Sequence, residues 1–198
     1  MDERVGVGLD TAIGSAEDGK LFTSRAVVLK QGIGFVAAVT GAPVPVSGLL
    51  RLGGDGRAAR IRPAAIDCPE PDHQALAQRG RCRLVLTSPG LFAQGWLAHG
   101  MAPDGQGGHR FELHGVRARL VAASVARSDV ASGWDLARRQ PKPAQRMAPT
   151  GSVYWLDGLE ASADALRKLA AAGLWSDPCE DPARRAEGFN HLALAAWN

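Results

Sequence analysis

Cysteine is scarce in this sequence, and its three copies lie far apart. Cys68, Cys82 and Cys179 are odd in number and form no CxxC pair. They provide neither a disulfide framework nor a zinc knuckle, so the cytoplasm is the compartment that we expect.

Long apolar runs and several motifs of nucleotide, metal and hydrolase sites are also missing. No apolar run approaches the ~20 residues that span a bilayer, and the segment MDERVGVGLD contains no apolar signal core. The glycines around Asp55 lack a following GKS or GKT, and Ser152 lacks the GxSxG context. His109 and His114 in HRFELH fall on opposite faces of a strand, unlike the histidines of HExxH. We therefore expect no membrane contact, no cofactor, no metal and no catalytic residues.

The charges that are present are unevenly distributed. A net charge of +3 and 45% hydrophobic residues are ordinary for a globular protein. Between Arg117 and Pro149, however, seven basic residues stand against two acids, whereas Asp157 to Glu187 carries seven acids and four bases. The chain has a basic middle and an acidic C-terminal flank.

Aromatic and basic residues are concentrated in one stretch, SGWDLARRQPKPAQRMAPTGSVYWL, at residues 132–156. Guanidinium groups pair with phosphates and flat rings stack on splayed bases, so this composition is typical of an RNA contact. Its prolines predict an extended, stiff loop over residues 140–149, between two strands. Buried aromatics beside a solvated basic loop also occur in many proteins that bind no RNA, and composition alone favours that interpretation.

The same stretch resembles the signature of the third subunit of the type III-B CRISPR Cmr complex, a protein of the RAMP superfamily. That signature has a Ser-Gly-Trp-Asp run, then Pro-Lys-Pro, then Pro-(Ala/Thr)-Gly-Ser-Val-Tyr. The segments VGLD, GKLFTSRAV and LGGDGR resemble further family segments, with Asp55 in place of a glutamate. The resemblance extends from Arg4 to Trp197. It implies that residues 1–198 are a C-terminal, ferredoxin-like RAMP domain with β-hairpin insertions, lacking the family's N-terminal module.

The residue patterns predict an α+β fold, with an antiparallel, hairpin-rich sheet and few helices. A helix over Ala163–Ala172 has an N-cap at Ser162 and a C-terminal glycine at Gly173. The other predicted elements are a strand at 4–9, a loop at 10–20, a hairpin around 30–32, a hairpin turned at Gly-Asp-Gly, a short helix at 72–78, a half-buried strand at 82–86, a loop at 101–109, a strand at 116–127, a loop at 177–182 and a glycine turn before the last strand. Trp96, Trp175 and Trp197 are predicted to pack in the core.

The family resemblance also implies the function. It suggests a non-catalytic subunit that holds the 5′ tag of the crRNA and connects the large polymerase/cyclase-like subunit to the backbone RAMP subunit. RAMP proteins contact the RNA backbone with a glycine-rich C-terminal loop, which here keeps only Gly188. The predicted RNA-binding residues are Arg138, Arg139, Lys142, Arg146, Gly188, Phe189, Asn190 and His191.

Two alternatives remain open at this point. Some RAMP relatives are metal-independent endoribonucleases, and His191, Tyr154 and Lys142 have the chemistry for such a site. Alternatively, the basic middle is a protein-docking surface for the acidic face of a partner subunit and contacts no RNA.

Overall fold

The chain divides into two compact units, Met1–Cys68 and Pro69–Asn198. The computed structural model describes residues 2–39, 41–44, 47–53, 56–67, 69–135 and 137–197. Its antiparallel strands and three helices among these residues confirm the predicted α+β class.

The first unit contains two antiparallel hairpins. Strand β1 (Asp2–Leu9) pairs with β2 (Ala16–Ala26), and β3 (Gly48–Leu52) pairs with β4 (Arg57–Ile61). The strand at 4–9 and the second hairpin are confirmed, although Gly54 and Asp55 at the tip lie outside the described residues. The predicted hairpin around residues 30–32 is wrong, because β2 folds back on β1 instead. The predicted loop at 10–20 is shorter than expected, since a backbone bond from Asp10 to Ser15 at 2.9 Å closes the turn before β2.

The second unit is built on a six-stranded sheet with the order β14-β5-β13-β8-β7-β6, in which every neighbouring pair is antiparallel. Two short ladders, β9 with β12 and β10 with β11, lie outside it. The strands are β5 (Arg81–Leu86), β6 (Met101–Pro103), β7 (His109–Leu113), β8 (Val116–Ser124), β9 (Asp129–Ala131), β10 (Trp134–Asp135), β11 (Gln140–Pro141), β12 (Gln145–Met147), β13 (Val153–Glu160) and β14 (Leu192–Ala195).

The predicted loop at 101–109 is only partly correct, because β6 occupies its first three residues. Met101 is buried and anchors β6, so the loop shrinks to residues 104–108. The Asp104 carboxylate accepts the backbone N–H groups of Gln106 and Gly108 at 2.8 and 2.9 Å. These bonds hold the pKa of Asp104 below its usual value and form the turn that pairs β6 with β7.

The core lies on one face of the sheet. Alternation along β5 buries Cys82, Leu84 and Leu86, as predicted, and β13 adds Tyr154 and Leu156 to the same cluster. The helices that cover this face contribute Leu76, Leu166 and Leu169. Burial raises the pKa of the Cys82 thiol to about 12, so this cysteine stays protonated and serves as a core residue.

The helices begin and end where capping residues occur. Helix α1 (His73–Arg79) starts at Asp72, whose carboxylate accepts from the Ala75 N–H. Helix α2 (Ala163–Ala172) has the predicted bounds, with the Ser162 hydroxyl accepting from Ala165 at 3.1 Å. Helix α3 (Pro182–Ala186) interrupts a segment that was expected to be irregular.

The signal for α3 was an aspartate followed by proline. The Asp181 carboxylate accepts from the Arg184 N–H at 3.0 Å, and Pro182 stands at the start of the helix, where its missing N–H costs nothing. No helix among the described residues is long and apolar enough to cross a membrane.

Candidate nucleic-acid interface

The loop predicted at 140–149 contains the short strands β11 and β12 and is extended as expected. It is part of the basic segment, residues 129–149, which short strand pairs hold in shape. Its outer turn lies between β10 and β11, where the Asp135 carboxylate accepts the N–H groups of Ala137 and Arg138 at 3.0 Å. Leu136 lies outside the described residues. Arg138 and Arg139 are exposed on this turn, and Arg139 has a φ of 51°. The turn therefore presents two guanidinium groups to solvent.

Lys142 is placed differently from the arginines. Its ammonium pairs with one carboxylate oxygen of Glu187, while the other oxygen accepts from the Arg184 guanidinium at 2.8 Å. The hydrogen bond from Lys142, followed by that from Arg184, holds the pKa of Glu187 below its usual value. The basic segment is thus joined to the acidic flank, and the charge of Lys142 is balanced by a partly exposed carboxylate of the same chain.

Arg146 lines an open groove with a volume of about 560 Å³. The turn at Gly95 and Trp96 and the residues that follow β8 form its walls, together with Met147 and Ala148 of the basic segment. Arg146 is the one charged residue among the described residues that line it. The groove therefore combines apolar walls with a single cation.

Trp96 faces solvent in this groove, with 45% of its surface exposed, so the prediction that it packs in the core is wrong. Gly95 has a φ of 71°, and a bridge between Gln94 and Leu97 closes a tight turn that carries the indole outward. The His109 ring packs edge-on against the indole, with the centroids 5.7 Å apart. Sequence reasoning missed this residue because its neighbours in the chain are apolar.

The other tryptophans occupy varied positions. Trp175 is buried as predicted, and Trp197 is half-buried, with its indole N–H directed to the carbonyls of Cys82 and Leu156. Trp134 on β10 is 56% exposed, whereas Trp155 on β13 is half-buried.

The C-terminal turn lies between α3 and β14. Gly188 has a φ of 88°, and Phe189 is half-buried with the Arg184 guanidinium carbon 5.6 Å from its ring centroid. His191 is exposed, and its backbone N–H donates to the Ser88 hydroxyl. Asn190 is fully buried, and among the described residues its amide bonds to backbone groups of Leu91 and Leu174. The Asn190 side chain therefore supports the turn from within, in place of the RNA contact that was predicted for it.

The family profile of a CRISPR-associated protein (Cas_Cmr3) matches residues 1–197 of the sequence. The chain belongs to the Cas_Cmr3 family. Members of this family are CRISPR-associated subunits of a Cmr complex. No curated protein matches the sequence.

The geometry of this Cas_Cmr3 family member does not assemble the residues of the nuclease alternative. The Tyr154 hydroxyl is buried and donates to the backbone carbonyl of Trp96, whereas His191 is exposed and Lys142 is paired with Glu187. Burial also raises the pKa of Tyr154, which leaves the phenol protonated. Among the described residues no three His, Cys, Asp or Glu side chains are grouped closely enough to hold a metal ion.

Proposed function

We propose that this Cas_Cmr3 family member is a non-catalytic RNA-binding subunit of the Cmr complex. It holds the 5′ tag of the crRNA and connects the large polymerase/cyclase-like subunit to the backbone RAMP subunit. The observation that carries the proposal is one short segment that exposes Arg138, Arg139 and Arg146, of which Arg146 lines an open groove.

The charges of the segment support a contact with the RNA backbone. Arg138, Arg139 and Arg146 are exposed, and a guanidinium group matches two phosphate oxygens at once. Arg138 has only a long 3.9 Å approach to the Asp135 carboxylate. Because exposed ion pairs of this kind contribute little to stability, the phosphates of a bound RNA strand would replace the Asp135 carboxylate at a small cost in free energy.

The sheet topology supports a ferredoxin-like RAMP module. Four of the strands, β5, β8, β13 and β14, can be numbered 1 to 4 in chain order. They lie side by side in the sheet as 4-1-3-2, which is the strand order of the split βαβ arrangement. Helix α2 connects β13 to β14, as that arrangement requires. Among its described residues, the connection from β5 to β8 contains the β6–β7 hairpin where that arrangement has a helix. This is consistent with a hairpin insertion.

The proposal is tested by binding of a labelled synthetic crRNA that begins with its 5′ tag. The full chain is titrated, alone and within the assembled Cmr complex, over a series of salt concentrations. Replacing Arg138, Arg139 and Arg146 with alanine removes three phosphate contacts. The negative slope of log K against log[salt] is therefore expected to become less steep by about two. The matched control is Arg167→Ala, because Arg167 is exposed on α2 and pairs with Asp164.

A triple variant with unchanged affinity and slope would remove the segment from the RNA site. If the same variant then lost its binding to the large subunit in the absence of RNA, the segment would be the protein-docking surface. The ratio of absorbance at 260 and 280 nm of the purified protein provides a first check for bound RNA.

A further inference from the structure

The groove beside Arg146 has the chemistry of a stacking site. Trp96 exposes nearly half of its surface there, which leaves its flat indole ring accessible to a base that could stack on it. Most of the other lining groups are apolar, including Val125, Met147 and Ala148. A volume of about 560 Å³ is of the size that small-molecule pockets have, which is ample for one nucleotide.

Two contacts hold Trp96 in place, one through its backbone and one through its ring, and a third joins its loop to the basic segment. Its backbone carbonyl accepts the buried Tyr154 hydroxyl at 2.6 Å, and His109 packs against its ring. Gly90 and Ala148 exchange two backbone hydrogen bonds of 2.8 Å, which tie the loop before Trp96 to the end of the basic segment. The backbone segments that carry Trp96 and Arg146 are therefore joined before any ligand arrives, which lowers the entropy cost of binding.

We infer that this groove takes a single unstacked base of the bound RNA strand, which stacks on Trp96 while Arg146 pairs with an adjacent phosphate. The inference rests on the proposed function and adds to it a base-binding position. Since every base has a flat face and the walls are mostly apolar, the site selects an unpaired nucleotide more than its identity. A paired base cannot enter, because it would first have to leave its helix.

The test scans the crRNA one position at a time with abasic nucleotides, which keep the sugar-phosphate chain and lose the base. In the wild-type protein, an abasic site at one position of the tag is expected to weaken binding by about 5- to 150-fold, the range for loss of one base stacked on an aromatic ring. Trp96→Ala is expected to lose a similar factor with intact RNA and then to be insensitive to the abasic site. Trp96→Phe keeps a flat ring and is expected to restore most of the sensitivity.

Trp134→Ala is the matched control. Like Trp96, Trp134 has an exposed indole, but it lies in the basic segment and does not line the groove. Trp134→Ala is expected to lose affinity at the same abasic position, and by the same factor, as the wild-type protein. Urea denaturation of each variant separates loss of folding from loss of stacking, and Trp96→Leu, which is apolar but has no flat ring, replaces the alanine variant if that variant fails to fold.

The outcomes distinguish the two proposals. Salt-dependent binding of the tag with no position sensitive to an abasic site overturns the stacking site and leaves the proposed RNA-binding function in place. An abasic effect that persists in Trp96→Ala places the base elsewhere and also overturns it. No binding of the tag, alone or in the complex, overturns the proposed function itself.

Discussion

The hydroxyl of Tyr154 donates a hydrogen bond to the backbone carbonyl of Trp96, and the two atoms are 2.6 Å apart. Tyr154 is fully buried on β13, whereas Trp96 is exposed in the groove. One side chain thus extends from the core of the sheet to the wall of the candidate site. The packing of the core and the geometry of the groove are therefore coupled.

Replacing Tyr154 with phenylalanine tests this coupling. The ring keeps its place in the core, but the carbonyl of Trp96 loses its donor, so the free energy of unfolding is expected to fall by about 1 to 2 kcal/mol. Urea denaturation measures the loss as a lower midpoint with an unchanged m-value. If the midpoint did not move, the hydrogen bond would be irrelevant to stability.

The fold was predictable where the signal is local. Alternation identified the buried face of β5 at Cys82, Leu84 and Leu86, and caps at Ser162 and Gly173 placed both ends of α2. Each of these features depends on residues within one or two turns of the chain. The family was identified from the order of residues in one long motif, and the match over residues 1–197 confirms it.

The features that escaped prediction depend on contacts between distant residues. The partner of β2 is β1 and not the chain that follows it, Trp96 is exposed by a turn whose carbonyl is held by Tyr154, and Lys142 is neutralised by Glu187, 45 residues away. Periodicity and composition carry no record of such pairings. For the same reason, the sequence marked four basic residues as equivalent, although the structure separates Lys142 from the three arginines.

Asn190 is expected to be the most sensitive position of the C-terminal turn. Its amide satisfies the Leu91 N–H at 2.6 Å and donates to the Leu174 carbonyl at 3.3 Å, with a backbone φ of 64°. Asn190→Ala leaves the Leu91 N–H unpaired and places an alanine in the left-handed region, so the free energy of unfolding is expected to fall by about 3 kcal/mol.

Asn190→Gly separates the two contributions. Glycine adopts the same φ without strain but also lacks the amide, so it should recover about 1 kcal/mol relative to alanine. Thermal or urea unfolding of both variants makes the comparison. Equal stability of Asn190→Gly and wild type would show that the buried amide contributes nothing.

The stability of the second unit is expected to depend on pH through Glu187. Lys142 and then Arg184 lower the pKa of this carboxylate in the folded state below its ordinary value of 4.5. A lowered folded pKa means that the group stabilises the fold above the unfolded pKa, and that this contribution disappears as the pH falls through the folded pKa. Glu187→Gln should therefore be less stable than wild type at neutral pH, and the two midpoints should converge in acid. If the difference between the two midpoints stayed constant across the pH range, the lower stability of Glu187→Gln would instead come from altered packing.

The same carboxylate is expected to limit RNA binding by Lys142. The Lys142 ammonium is already paired with Glu187, so Lys142→Ala should change the salt slope for crRNA less than Arg146→Ala, which removes an exposed cation. Glu187→Gln releases Lys142, so its affinity for the tag should rise and its slope should steepen by up to about 0.7. In the double variant Glu187→Gln with Lys142→Ala, that gain should vanish. A gain in affinity that survived removal of Lys142 would instead reflect weaker general repulsion between the RNA and the acidic flank. In that case Asp177→Asn, which removes an exposed carboxylate of the same flank, would produce the same gain.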